Sequence, residues 1–272
     1  MLGQGVIRFV GAGPGAADLL TLRGARRLAG ADVVVWASSL VPAEVLDHCR
    51  PGVEVHDSAG MTLEDVLDVY AANPAAEIVR LHSGDVSLYS ALTEQLAWCA
   101  EHDRGFEIVP GVGSLAAAAA TAGVELTVPG VAQSAVLTRL GGGRTSASMP
   151  GGESVAEFAR HGTTMAVYLS AARPGRLREE LLAGYPGDTP AIVVAKASWP
   201  DETAIPTTVD GLADALTTSG IRTAALVLVG PALRSHGRSR LYDPAYSHGC
   251  RRRSIEPSTD GRPIPAAKRR RP

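Results

Sequence analysis

The stretch "VIRFVGAGPGAADLLTLRGARRLAG", residues 6–30, joins a short apolar run to a glycine-rich turn and then to a helical pattern. Gly11-Ala12-Gly13-Pro14-Gly15-Ala16 satisfies the G-x-G-x-x-G/A fingerprint of a dinucleotide-binding unit. That reading makes a second demand, an acid at the end of the next strand about twenty residues on, to hold the ribose hydroxyls. Here the strand "VVVW" runs into Ala37-Ser38-Ser39, and the nearest acid, Asp32, precedes it. Pro14 has no N–H to offer a pyrophosphate, and no Gly-Lys-Ser/Thr follows to make a P-loop. A NAD(P)-dependent dehydrogenase is therefore the disfavoured alternative, and the turn has some other task.

Outward from this stretch the pattern alternates. Apolar runs at "VIRFVGA", "DVVVWAS", "EIVRLHS" and "FEIVPG", with a weaker one at "GVEVHDS", read as buried parallel strands. Leu63, Val66, Leu67 and Tyr70 share one helical face, and so do Leu88, Leu92, Leu96 and Cys99, from a helix expected to start at Ser87, of which Asp85 is either the cap or a ligand-site residue. A second α/β unit follows: the small-residue helix "GSLAAAAATAG", then strands at "VAQSAVLTRL", "TMAVYLS", "AIVVAKAS" and "AALVLVG", with helices around 175–184 and 210–219. The expected fold class is α/β, two α/β domains with an interdomain cleft. The divisions are 1–110, 111–233 and a basic tail, 234–272.

Composition narrows the function. The 272 residues are 45% hydrophobic and 20% charged, and no apolar stretch approaches a membrane span, so a cytoplasmic protein with no membrane partner is expected. Cys49, Cys99 and Cys250 are too far apart for a disulfide framework or a zinc site, and no metal is expected. From Arg234 onward there are eleven basic and three acidic residues, against fifteen and twenty-five before it. The tail is too poor in apolar residues to form a core, and is expected to be solvated and disordered rather than a nucleic-acid-binding arm.

Four further turns stand at predicted strand ends: "LHSGDVSLY" (81–89), "VPGVGSLAAAA" (109–119), "VYLSAAR" (167–173) and "VAKASWPDE" (194–202). Open α/β sheets bind ligands at such ends, and small residues let a ligand approach the backbone. Together with "GAGPGAADLLTLRG" and "ELTVPGVAQSAVLTR", these segments resemble the tetrapyrrole methylases, the S-adenosylmethionine enzymes of cobalamin and sirohaem synthesis. The resemblance runs from about Val6 to Leu233. "ASSLVP", "ELTVPGVAQSAVLTR" and "KASWPDE" resemble the branch acting at C-11 of a precorrin; a relative acting at another precorrin position is the alternative.

The resemblance implies S-adenosyl-L-methionine folded in the cleft, touching Pro14, Ser83, Gly84, Asp85, Leu88, Gly113 and Ser114 from the first domain and Leu169, Ala197 and Ala224 from the second. Ser83, Val86 and Gly113 depart from common family residues by small exchanges. It also implies a tetrapyrrole substrate and a homodimer. Methyl transfer from a sulfonium to an enamine-like carbon needs alignment rather than a triad, so no catalytic residue is assigned, and His82 reads as a strand-end residue and not as a base. A precorrin carries carboxylates while the core is net negative, so local guanidinium forks must hold it. Arg139, Arg144 and Arg173 are the candidates. The stretch "GGGRTSASMPGGES" (141–154) is expected to close over the substrate, with Arg144 on a carboxylate.

Overall fold

The computed structural model describes residues 5–142 and 149–235, with Ser239 and Tyr246. Five strands form the first sheet: β1 (Ile7–Gly11), β2 (Val33–Trp36), β3 (Glu54–Asp57), β4 (Ile78–His82) and β5 (Phe106–Val109). Their order is β3-β2-β4-β1-β5, and every neighbouring pair is parallel. The weak "GVEVHDS" segment is the outer strand, where one side needs no apolar partner.

Both faces are covered, as buried parallel strands require. Val10, Val34, Val79 and Leu81 pack with Leu28 of α1 (Leu22–Ala29). Ile7, Phe9, Val35 and Ile78 pack with Val66 and Tyr70 of α2 (Leu63–Ala72) and Cys99 of α3 (Thr93–Glu101). The Thr21 side chain accepts the Gly24 N–H to start α1, and Thr62 with Asp65 makes a capping box for α2. The expected helix from Ser87 is corrected: α3 begins only at Thr93. Tyr89 and Ala91 lie at φ 54° and 47°, left-handed values that break a helix, so Leu88 sits on an irregular loop.

The second sheet holds β6 (Ala135–Arg139), β7 (Thr164–Tyr168), β8 (Pro190–Ala195), β9 (Thr203–Thr208) and β10 (Ala225–Val229), in the order β6-β7-β10-β8-β9. Only β6 and β7 run parallel. The strand β9, "TAIPTT", has no apolar run to announce it. It is an edge strand, where Pro206 and threonines facing solvent are tolerated. α5 (Val155–Ala159), α6 (Pro174–Leu182) and α7 (Leu212–Ser219) cover one face. α4 (Ser114–Ala122) covers the other, and its small Ala117 and Ala118 lie close on Ala166, Ile192, Val194 and Leu228.

Register then sets the site. Gly11 lies opposite His82, and Val10 opposite Val109, so β1, β4 and β5 end level with one another. In the second sheet β10 is antiparallel to β7 and β8, which brings its first residues to the edge where those two strands end.

Candidate active site

Three turns leave the first sheet side by side, and they pack backbone on backbone. Gly13 and Gly84 exchange N–H···O bonds of 3.2 and 2.7 Å, and the Ala12 N–H goes to the His82 carbonyl at 2.8 Å. A Cβ on Gly11 would lie 2.6 Å from Gly111 Cα, and one on Gly111 would lie 2.7 Å from Gly11 Cα and closer still to the Gly84 carbonyl oxygen. These glycines are thus required by turn-on-turn packing. Asp85 ties the turns further: its Oδ2 accepts the Gly111 N–H at 2.8 Å, and its Oδ1 accepts the Ser87 N–H at 2.9 Å and the Ser87 hydroxyl.

The first turn meets the second sheet directly. Trp199 Nε1 donates to the Pro14 carbonyl at 3.0 Å, and the Ala16 N–H donates to Ser198 Oγ at 3.0 Å. Gly15 lies under the indole, where a Cβ would stand 2.5 Å from Trp199 Nε1. Glu202 holds this loop from behind, accepting the Ser198 N–H at 2.8 Å and the Thr121 hydroxyl at 3.2 Å. With the N–H groups of Ala12, Gly13 and Ala16 engaged and none on Pro14, the turn keeps almost no donors for a pyrophosphate. The dinucleotide fingerprint is here a domain-docking turn.

At a second point the two sheets meet through Tyr89 and Tyr168, whose ring centroids are 5.1 Å apart at 56°. The turns of the second sheet carry a run of left-handed residues: Leu169 at φ 51°, Lys196 at 50°, Ser198 at 68° and Ala224 at 50°. Each non-glycine residue in this region costs on the order of 1 kcal/mol or more, and such strain gathers where a ligand must be held. These contacts bring the turn of Pro14 against the loop that follows Ala197, and Tyr89 of the loop after Gly84-Asp85 against Tyr168, the neighbour of Leu169.

A family model described as Tetrapyrrole (Corrin/Porphyrin) Methylases matches residues 6–213. The chain belongs to this family. It is 41% identical over 251 residues to a precorrin-4 C(11)-methyltransferase of Sinorhizobium sp, covering 91% of this chain and 98% of the relative. It is 42% identical over 252 residues to a cobalt-precorrin-4 C(11)-methyltransferase of Priestia megaterium, covering 90% and 96%. The X-ray structure of a cobalt precorrin-4 methyltransferase superimposes with a TM-score of 0.78 at 42% identity, over 85% of this chain and 96% of that one. A uroporphyrin-III C-methyltransferase from Thermus thermophilus complexed with S-adenyl homocysteine gives 0.70 at 29% identity, over 85% and 94%.

In this tetrapyrrole methylase the residues expected to touch the cofactor offer apolar side chains and room at the backbone rather than donors for a phosphate. Leu88 and Leu169 are 37% and 59% exposed, large apolar side chains left uncovered at the edges of the cleft. A Cβ on Gly113 would meet nothing nearer than Asp85 Cβ at 3.8 Å, so a ligand has room against the backbone there. Ser83 and Ala224 are exposed, Ser114 is half-buried, and Pro14 and Ala197 are buried. Of the two sequence readings of Asp85, the cap of a helix at Ser87 is excluded, since the residue braces two turns.

Burial works against the Asp85 carboxylate, yet the Ser87 hydroxyl and the N–H groups of Gly111 and Ser87 outweigh it and hold its pKa below the ordinary value. A depressed pKa contributes stability that is complete above the unfolded value and is lost as pH falls through the folded one. Asp85→Asn is therefore expected to lower the melting temperature at neutral pH, with a cost of about 1–3 kcal/mol for the N–H left without its acceptor. The gap should close only below the usual carboxylate range. A gap that closes above about pH 5 in paired thermal melts would contradict the assignment.

The arginines divide. Arg173 gives Nη1 to the carbonyls of Gly141 and Gly142 at 2.5 and 2.7 Å and Nη2 to that of Leu140 at 3.0 Å, so its fork is engaged by backbone. Arg139 ends β6 opposite Tyr168 and is half-buried. It also acts on Tyr89, whose phenol is raised by burial and by Tyr168 and lowered in part by Arg139. Arg144 and the rest of 143–148 lie outside the described residues, as does most of the tail. His82 is buried; burial first and Arg80 second depress it to about 3, so it stays neutral at physiological pH. The docking pair Ser198 and Trp199 and the tilted rings of Tyr89 and Tyr168 were not legible beforehand. Their partners lie 79 to 185 residues away in sequence, and only the "KASWPDE" segment gave any signal.

Proposed function

We propose that this chain transfers a methyl group from S-adenosylmethionine to C-11 of precorrin-4, or of its cobalt form, in assembly of the corrin ring of cobalamin. The observation that carries this reading is the 41–42% identity to enzymes of that name over nine-tenths of the chain. The cofactor supplies the chemistry when bound: a methyl on sulfonium with a good leaving group. The protein's part is alignment. Leu88 and Leu169 form apolar walls, Gly113 and Ala197 leave room for close approach, and the strained turns fix both edges before the ligand arrives. Neutral, buried His82 neither gives nor takes a proton in this scheme. The working unit is proposed to be a homodimer.

Calorimetry tests the ligand choice. S-adenosylhomocysteine should give saturable heat, and NADH none; tight NADH binding would sink the methylase reading. For the substrate, Arg139 is proposed to pair a carboxylate beside Tyr168. Arg139→Ala is expected to raise KM roughly ten-fold, the worth of one charge-assisted bond, with S-adenosylhomocysteine affinity unchanged. Parallel loss of both affinities would place Arg139 in the scaffold instead.

A further inference from the structure

Three arginines of the first sheet are withdrawn from water, and they are satisfied in different ways. Arg8 faces two carboxylates, Glu77 and Glu107. Arg104 is buried and held by the carbonyls of Asn73, Pro74 and Ala76. Arg80, on β4 two residues before His82, has neither arrangement. Its Nη1 donates to Ser58 Oγ at 2.8 Å and makes only long contacts, 3.4 and 3.5 Å, to the carbonyls of Val35 and Leu81. Its Nε is sealed from solvent without a partner, and its Nη2 makes no hydrogen bond to any described residue. Among the described residues, no carboxylate forms an ion pair with it.

A guanidinium in this state is costly to keep unless something anionic completes it. It is also held in place. The Ser58 hydroxyl accepts from Arg80 and donates to the Trp36 carbonyl at 2.8 Å, so it is fixed from both sides and orients the fork. The contacts to Val35, Ser58 and Leu81 put the guanidinium toward the C-terminal ends of β2 and β4. That is the edge from which the Ser83-Gly84-Asp85 turn departs, one strand step beyond His82. Two residues on, His82 leans on the Ser90 backbone, and Ser90 lines a cavity of about 750 Å³ with Val86, Tyr89 and Leu92.

We propose that Arg80, oriented by Ser58, receives one peripheral carboxylate of the tetrapyrrole on the first-sheet side of the cleft, through its unbonded Nη2. This rests on the functional reading above and adds a second anchor opposite Arg139, so that the macrocycle is held from both sheets. A net negative core needs such local forks, and a planar guanidinium suits a carboxylate better than an ammonium.

The test is steady-state kinetics of the full chain with precorrin-4, alongside S-adenosylhomocysteine binding and thermal melts. Arg80→Met is expected to raise KM about ten-fold or more while cofactor affinity holds. Arg80→Lys should recover part of the loss. Ser58→Ala, which leaves the guanidinium present but unheld, should raise KM a few-fold, and Ser58→Thr should restore it. If Arg80→Met fails to fold, the Lys and Ser58 variants decide: KM equal to wild type in both overturns the proposal. Unchanged KM in folded Arg80→Met overturns it too, as does an equal fall in cofactor affinity, which would mark a structural arginine. A wild type that binds S-adenosylhomocysteine but does not methylate precorrin-4 removes the functional reading instead.

Discussion

Gly111→Ala is expected to dismantle the cofactor edge, whereas Gly113→Ala, two residues on, leaves it standing. At Gly111 the added methyl would fall within 2.7 Å of Gly11 Cα and against the Gly84 carbonyl, which are backbone atoms of two other turns and cannot swing aside. Relief requires the three turns to part, and with them the Gly111–Asp85 and Gly13–Gly84 hydrogen bonds. Overpacking of this kind costs about 1–3 kcal/mol and sometimes more, and the backbone neighbours place this case at the upper end. A fall of roughly 5–10 °C in Tm follows for a chain of this size. S-adenosylhomocysteine affinity should drop by more than ten-fold with it. At Gly113, φ is −71° and the methyl meets only Asp85 Cβ, at an ordinary contact distance of 3.8 Å, so stability should hold within about 0.5 kcal/mol. A larger side chain there, as in Gly113→Leu, should block the ligand without unfolding the chain. Gly84→Val is a poorer probe, since φ +69° strains any branched residue whatever the ligand does. Wild-type melting and binding in Gly111→Ala would show that the turns are not packed as described.

Trp199→Ala should act on rate more than on fold. The half-buried indole covers Gly15 and donates to the Pro14 carbonyl, so its removal empties a point where the two halves meet. The loss of packing is about 2 kcal/mol for a partly buried aromatic. The catalytic loss is larger, because a displacement of about 1 Å between donor and acceptor costs on the order of 100-fold. kcat should fall by about that factor, with far-UV circular dichroism unchanged. Trp199→Phe keeps most of the bulk without the N–H and should retain more activity than the alanine variant. If kcat in Trp199→Ala stays within two- to three-fold of wild type, the contact does not set the cleft.

Why some of this was readable beforehand follows from which interactions are local. Buried strands announce themselves as apolar runs, so Val33–Trp36 and Ile78–His82 stood out, and the glycine turns between strand and helix marked the sheet edge. The failed acid position after "VVVW" was also local, and it removed the dinucleotide reading without any coordinates. What the turn does instead was not local. The partner of Pro14 is Trp199, and the partner of Asp85 is Gly111, across sequence gaps that periodicity does not bridge. The apolar spacing of Leu88, Leu92, Leu96 and Cys99 overran the true start of α3: left-handed Tyr89 and Ala91 break the helix, and Leu88 is exposed instead of packing with the other three. Strand β9 was silent because an edge strand needs no alternation to survive. Among the arginines, composition indicated that forks were needed, but charge alone did not separate Arg173, whose fork is bound to backbone, from Arg80, whose Nε has no partner.

One measurement bears most directly on the proposed chemistry. Incubation of the purified chain with precorrin-4 and S-adenosylmethionine carrying a ¹³C-labelled methyl group should yield a tetrapyrrole heavier by a single methyl, with the label at ring carbon C-11 by NMR. Label at another ring carbon would keep the family and move the chain to a different methylation step. An unaltered precorrin-4, in the presence of a chain that demonstrably binds S-adenosylhomocysteine, would contradict the account.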